Sequence, residues 1–357
     1  MNKCIIFLAV CFLVSCTSNT GNVVVDVAET SNKLFVEPDS VKDKQQEFVE
    51  KLKLTGKNPN KRALYEEYID VLGANGILDG IDAVYERCHG QAHDLGKVVF
   101  AKVSDISTGL RICSDRCYTG CMHGVLMEAF KEAQDDEDGH IDVMKLKEML
   151  NDICLNNEEM KASYGPGECA HGVGHAMMFL SGYGIQEALD ACAGFDNQKM
   201  DYYCTDGAYM EYAVERESED QDKSLFYPCD TFAYPATCMR TKVGLVGKQL
   251  DKVGADLVKE CEKLEGKFRL GCFHGIGTSH AKILALEKMR INELCSQGSS
   301  EEQVACIEGA VEFMGKYFPD DVQKTCDQLA DAQKEICVAA GQHKLYSMEK
   351  DLSLYLR

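Results

Sequence analysis

Positive charge is scarce in this chain. Its 357 residues include 38 Lys and Arg against 58 Asp and Glu, a formal net charge of −20. A nucleic-acid binder needs a basic face to displace counterions, so that function class is excluded. Long apolar runs are also missing. The only sustained one, Ile5 to Val14, is too short to span a bilayer, and nothing after it is apolar enough to do so. The chain lacks tryptophan and has only 6 prolines. Hydrophobic residues nevertheless make up 45%, enough to bury a sizeable core, which excludes a disordered chain.

What is abundant is cysteine, at 19 residues, and glycine, at 30. So many thiols point to an oxidising compartment. Lys3, the following apolar run and Leu13-Val14-Ser15-Cys16 read as a signal segment over residues 1–15. Those last four residues resemble the lipobox of bacterial lipoproteins. That resemblance implies a lipid on Cys16, attachment to the membrane through it, and residence in the cell envelope. With Thr17 next, it implies the outer membrane if the host is Gram-negative. A polar tether over residues 16–39 and one helical domain over residues 40–357 complete the expected organisation.

Sixteen cysteines follow Cys16. One subset, Cys88, Cys121, Cys169, Cys204, Cys238, Cys272, Cys306 and Cys337, recurs at intervals of 33, 48, 35, 34, 34, 34 and 31. A period near 34 is that of a two-helix repeat stacked on its neighbours. The period matches tetratricopeptide repeats, but their Trp and Leu-Gly signature is absent. Most members have a partner shortly before them: Cys154, Cys192, Cys229, Cys261, Cys295 and Cys326. Each pair is expected to staple the neck of one αα-hairpin, stabilising it by roughly 2–3 kcal/mol. Cys88, Cys113, Cys117 and Cys121 allow three connectivities. Analogy favours Cys113 with Cys121, leaving Cys88 with Cys117. The expected fold is all-α: seven or eight disulfide-stapled hairpins in a curled solenoid or a closed α/α ring.

Two local motifs are discounted. Cys117 to His123 lacks the C-x-x-C-H spacing of haem attachment. The acidic run from Gln134 to Ile141 is similar to an EF-hand loop, with Asp136, Asp138 and Gly139 in place. It has Lys145 where the bidentate Glu belongs, and so reads as a solvated loop. The charged stretch from Glu215 to Lys223 reads likewise.

The chemistry lies in the histidines. Seven of the nine fall in one recurring motif: His89 and His93, His123, His171 and His175, His274 and His280. At about 100° per residue, the position two after each cysteine points about 200° away from it, so a His/Gly face lies opposite the stapled face. His89/His93 and His171/His175 are i, i+4 pairs, a spacing that grips a transition metal. Asp94, Glu128 and Glu211 follow the motif as possible carboxylate partners. Met127, Met177, Met178 and Met210 read as core. The motif H-G-x-x-H lacks the Glu of zinc proteases, so no general base is built into it.

The recurring His-Gly snippets are similar to α/α-toroid enzymes such as the lanthionine cyclases, in which a zinc sits at the centre. The likeness covers four residues at a time and omits that family's cysteine ligands. The leading expectation is an exported lipoprotein with a His-rich centre for zinc, iron or copper, with hydrolase or oxidase chemistry open to it. The alternatives are metal capture or delivery, and a non-enzymatic scaffold for an envelope protein or glycan.

Overall fold

The computed structural model describes residues 38–55, 61–85, 88–133, 142–157, 165–216, 223–253 and 256–349. The signal segment, Cys16, the tether up to residue 37, the acidic run 134–141 and residues 217–222 lie outside the described residues. The described chain is all-helical, without a strand. Its helices are α1 (Pro38–Thr55), α2 (Arg62–Val84), α3 (His89–Val103), α4 (Ile106–Ile112), α5 (Gly120–Ala129) and α6 (Val143–Leu150). Then come α7 (Pro166–Leu180), α8 (Ile185–Cys192), α9 (Gln198–Arg216), α10 (Pro235–Val253) and α11 (Leu257–Cys261). The last five are α12 (Gly266–Ala285), α13 (Ile291–Leu294), α14 (Ser300–Tyr317), α15 (Pro319–Cys326) and α16 (Asp331–Gln342).

Local chemistry sets several boundaries. Ser299 and Glu302 form a reciprocal capping box at the start of α14. The Asp105 side chain caps α4 through the Thr108 amide. Pro166 and Pro319 stand in the first turns of α7 and α15, where no amide donor is needed.

Eight disulfides hold the helices. Seven join the end of a short helix or turn to the beginning of the next long helix, with sequence separations of 8 to 15 residues: Cys113–Cys121, Cys154–Cys169, Cys192–Cys204, Cys229–Cys238, Cys261–Cys272, Cys295–Cys306 and Cys326–Cys337. The eighth, Cys88–Cys117, spans 29 residues and ties the start of α3 to the segment entering α5.

The long helices pack in chain order, α3 on α5, α5 on α7, α7 on α9, and so on through α10, α12, α14 and α16. Three of these pairs cross on a glycine from each helix. A Cβ on Gly96 or Gly124 would collide with backbone of the other helix of the α3/α5 pair; so would one on Gly174 or Gly207 in α7/α9, and on Gly277 or Gly309 in α12/α14. Glycine is required there because the backbones touch.

The crossings correct the register drawn from the sequence. The glycine of α3 that meets its neighbour is Gly96, whereas a Cβ on Gly90 would meet nothing within 4 Å. Counting back three residues from Gly96, Gly174 and Gly277, His93 rather than His89 is the counterpart of His171 and His274.

The C-terminal end of the stack reaches back to its middle. Tyr118, ahead of α5, packs against Tyr317 and Phe313 of α14, with ring centroids 4.9 and 5.9 Å apart. Lys316 pairs with Glu168 of α7. Beyond α16, Leu345 donates its amide to the Glu312 carbonyl, and Tyr203 of α9 donates its hydroxyl to the Ser347 carbonyl.

Candidate metal centre

The α3–α5–α7 packing brings five imidazoles together. α3 supplies His89 and His93 from adjacent turns, α5 supplies His123, and α7 supplies His171 and His175. His89 is half-buried; the others are 0 to 5% exposed. One ring nitrogen from each of His89, His93, His123 and His175 falls in a group whose members all lie within 4.8 Å of one another, so the group could hold a metal ion. His93 Nε2 is 3.0 Å from His89 Nε2, and His123 Nδ1 is 3.3 Å from the same atom. His171 adds a fifth ring, its Nε2 3.2 Å from His175 Nε2. Nitrogens bound tetrahedrally at about 2.0–2.1 Å from zinc would sit roughly 3.3 Å apart, close to these separations.

Outer hydrogen bonds decide which nitrogens carry protons. His89 Nδ1 faces the Cys117 carbonyl oxygen at 3.0 Å, an acceptor only, so Nδ1 is protonated and Nε2 turns a lone pair inward. The Thr119 hydroxyl donates to the Tyr118 carbonyl at 2.6 Å. Its oxygen therefore accepts from His123 Nε2, 3.2 Å away, and the Nδ1 of His123 also presents a lone pair. Two lone pairs thus face each other at 3.3 Å. The same logic applies across α7. His175 Nδ1 donates to Glu211 Oε2 at 2.8 Å, and His171 Nδ1 lies 3.0 Å from Asp206 Oδ2. Their Nε2 atoms, 3.2 Å apart, again oppose lone pairs. Facing lone pairs repel unless a cation lies between them. Carbonyl or carboxylate behind a ligating imidazole is also the usual outer arrangement of a metal site.

Burial tunes the group in the same direction. It pushes His89 down to about 3, with the neighbouring His175 adding to the effect. His171 is pushed down to about 4 by burial, opposed by Asp206. His93 and His123 are held well below the ordinary imidazole range, first by burial and then by the other rings. Neutral imidazoles are the form that binds metal. Burial tends to raise Asp206, but Arg240 and His171 outweigh it and hold the carboxyl below its usual range.

The remaining sequence-derived candidates lie elsewhere. His274, in α12, has its Nε2 3.4 Å from Glu312 Oε2 of α14 and is not in the group. The Nδ1 of His280 lies 2.9 Å from the Ile276 carbonyl oxygen of its own helix. Convergence of all seven histidines is therefore not what the fold provides: α12 follows α7 at a distance of three long helices, and its histidine meets its own neighbour α14. Of the carboxylates considered, Glu211 backs the centre, whereas Asp94 pairs with Lys97 and Glu128 with Lys131. Met127, Met177 and Met178 are core residues. A second cluster, Asp82 with Cys88 and Cys117, contains a disulfide, so its sulfurs are not thiolate ligands.

Sequence reasoning gave no role to Thr119, Arg240 or Tyr346. The Tyr346 ring packs 4.6 Å from the His171 ring and covers that side of the centre. Only the position of Arg240, two residues after Cys238, could have drawn attention to it. In comparison with known proteins, the chain matches no family model, no curated protein and no solved structure.

Proposed function

We propose that this protein is an exported, lipid-anchored metal-binding protein of curled, disulfide-stapled helix pairs. In this reading His89, His93, His123 and His175 hold one transition metal ion, with His171 beside them. The carrying observation is two pairs of opposed inward lone pairs, His89 with His123 at 3.3 Å and His171 with His175 at 3.2 Å, on rings whose outer nitrogens face acceptors. An all-nitrogen set suits zinc, copper or non-haem iron. The eight disulfides support an oxidising location outside the cytosol, and Leu13 to Cys16 supports the lipid anchor. Among the described residues no helix is long and apolar enough to cross a membrane.

Between catalysis and retention, the ligand number favours retention. A catalytic zinc keeps a position open beside three protein ligands, whereas here four imidazoles share one group, a fifth stands beside it, and Tyr346 covers a side. The test is metal analysis of the mature chain, folded oxidatively and offered zinc, copper or iron(II). Stoichiometric metal is expected in the native chain and in His274→Ala, and loss of it in His123→Ala and His175→Ala. A native chain that retains none of the three ions overturns the reading.

A further inference from the structure

The position two residues after the recurring cysteine carries a different group on three successive long helices: His171 on α7, Asp206 on α9 and Arg240 on α10. The stack sets these three groups in a row. Arg240 Nη1 lies 3.1 Å from Asp206 Oδ1, and Asp206 Oδ2 lies 3.0 Å from His171 Nδ1. The inner end of the row is His171 Nε2, 3.2 Å from His175 Nε2. The outer end is held too. Arg240 Nη2 donates to the Tyr202 hydroxyl at 3.4 Å, and the guanidinium lies 5.6 Å from the centre of the Tyr202 ring. All three residues of the row are buried, at 1 to 7% exposure.

We propose that Arg240 is a positioning residue of the metal centre, acting through Asp206 on His171; this rests on the metal-binding reading above. The ion pair with the guanidinium restrains the carboxylate, so its other oxygen stays within 3.0 Å of His171 Nδ1. That contact keeps the proton on Nδ1 and the lone pair on Nε2, which faces Nε2 of the ligand His175 and so the edge of the metal group. The fork geometry matters as well as the charge, because a lysine ammonium offers no flat face to Tyr202 and no second planar donor.

The experiment uses the full mature chain with Arg240→Met, Arg240→Lys, Asp206→Asn and the double variant Arg240→Met/Asp206→Asn. Two quantities are read: the imidazole tautomers of the metal-free protein by nitrogen-15 NMR, and zinc affinity by competition with a chromophoric chelator. In the native chain His171 is expected to be protonated at Nδ1. Arg240→Met is expected to mix the tautomers and weaken zinc binding by about 10–100-fold, the usual effect of losing an outer partner. Arg240→Lys, which keeps charge and stem and so guards against misfolding, is expected to fold and to lose part of that affinity. The double variant should bind no more weakly than Asp206→Asn, since both changes break one row. An Arg240→Met or Arg240→Lys protein with native tautomers and native zinc affinity, but a lower Tm, overturns the proposal and leaves Arg240 a structural residue. Additive losses in the double variant do the same. A native chain that ignores zinc defeats the metal-binding reading instead, and the tautomers of metal-free protein still decide the role of Arg240.

Discussion

A histidine in a dry site answers to burial before it answers to its neighbours. His89 and His171 have folded-state values of about 3 and about 4, against an ordinary 6.5. Between those limits the unfolded chain takes up a proton that the folded chain refuses. Stability therefore rises with pH in that window, is fully recovered above about 6.5, and is lost as pH falls. From pH 6.5 to 5.5, above the range of ordinary carboxylates, each of the two tends towards a loss of about 1.4 kcal/mol per pH unit. Urea unfolding of metal-free protein at pH 7.5, 6.5 and 5.5 is expected to show a level stretch and then a fall. No loss between 6.5 and 5.5 would mean that these rings meet water. Bound zinc should lift the whole curve, because it binds the folded chain alone, and should make its acid limb steeper, because protons compete for the same nitrogens.

At the scale of helices, the glycines decide how near two imidazole-bearing backbones come. Gly207 meets the carbonyl of His171 and Gly174 the carbonyl of Cys204, so an added methyl would strike backbone, which cannot swing aside as a side chain can. Gly207→Ala is expected to cost about 2 kcal/mol or more and to weaken zinc binding, by parting α7 from the helix that carries Asp206 and Glu211. Gly90→Ala is the matched control. Its Cβ would meet nothing within 4 Å in the first turn of α3, so thermal unfolding should show a small gain, below the roughly 0.5–1 kcal/mol of a helix interior, with zinc affinity unchanged. These two glycines also mark what was legible in the sequence. The cysteine spacing revealed the disulfide pairs, because a short disulfide loop is a local event. The i, i+4 histidines revealed a shared face, because helix geometry is local as well. Which glycine of α3 meets α5 was not legible, since Gly90 and Gly96 differ only in what lies opposite them. Nor was the absence of His274 from the centre, because that depends on how far the stack turns between α7 and α12. Asp206 and Arg240 stood in the right register with no sign of their roles, which exist only once three helices lie side by side.

For the molecule as a whole, the disulfides divide into staples and one tie. Cys326–Cys337 closes a hairpin at the far end of the stack, across 11 residues. Cys88–Cys117 crosses from one histidine-bearing unit to the next, and the carbonyl of Cys117 itself receives the His89 ring. On loop-closure entropy the two differ little, at about 3 kcal/mol for the staple and about 3–4 for the tie. Their effects on the centre should differ sharply. Cys326→Ser/Cys337→Ser is expected to lower the unfolding midpoint while zinc affinity stays native. Cys88→Ser/Cys117→Ser is expected to lower the midpoint by a similar amount and to weaken zinc binding as well, because the starts of α3 and α5 are no longer fastened and His89 loses its fixed acceptor. Circular dichroism establishes that both variants remain helical before chelator competition is read. Equal zinc affinities in the two would mean that helix packing alone assembles the imidazoles, and that the long tie serves stability like any other staple.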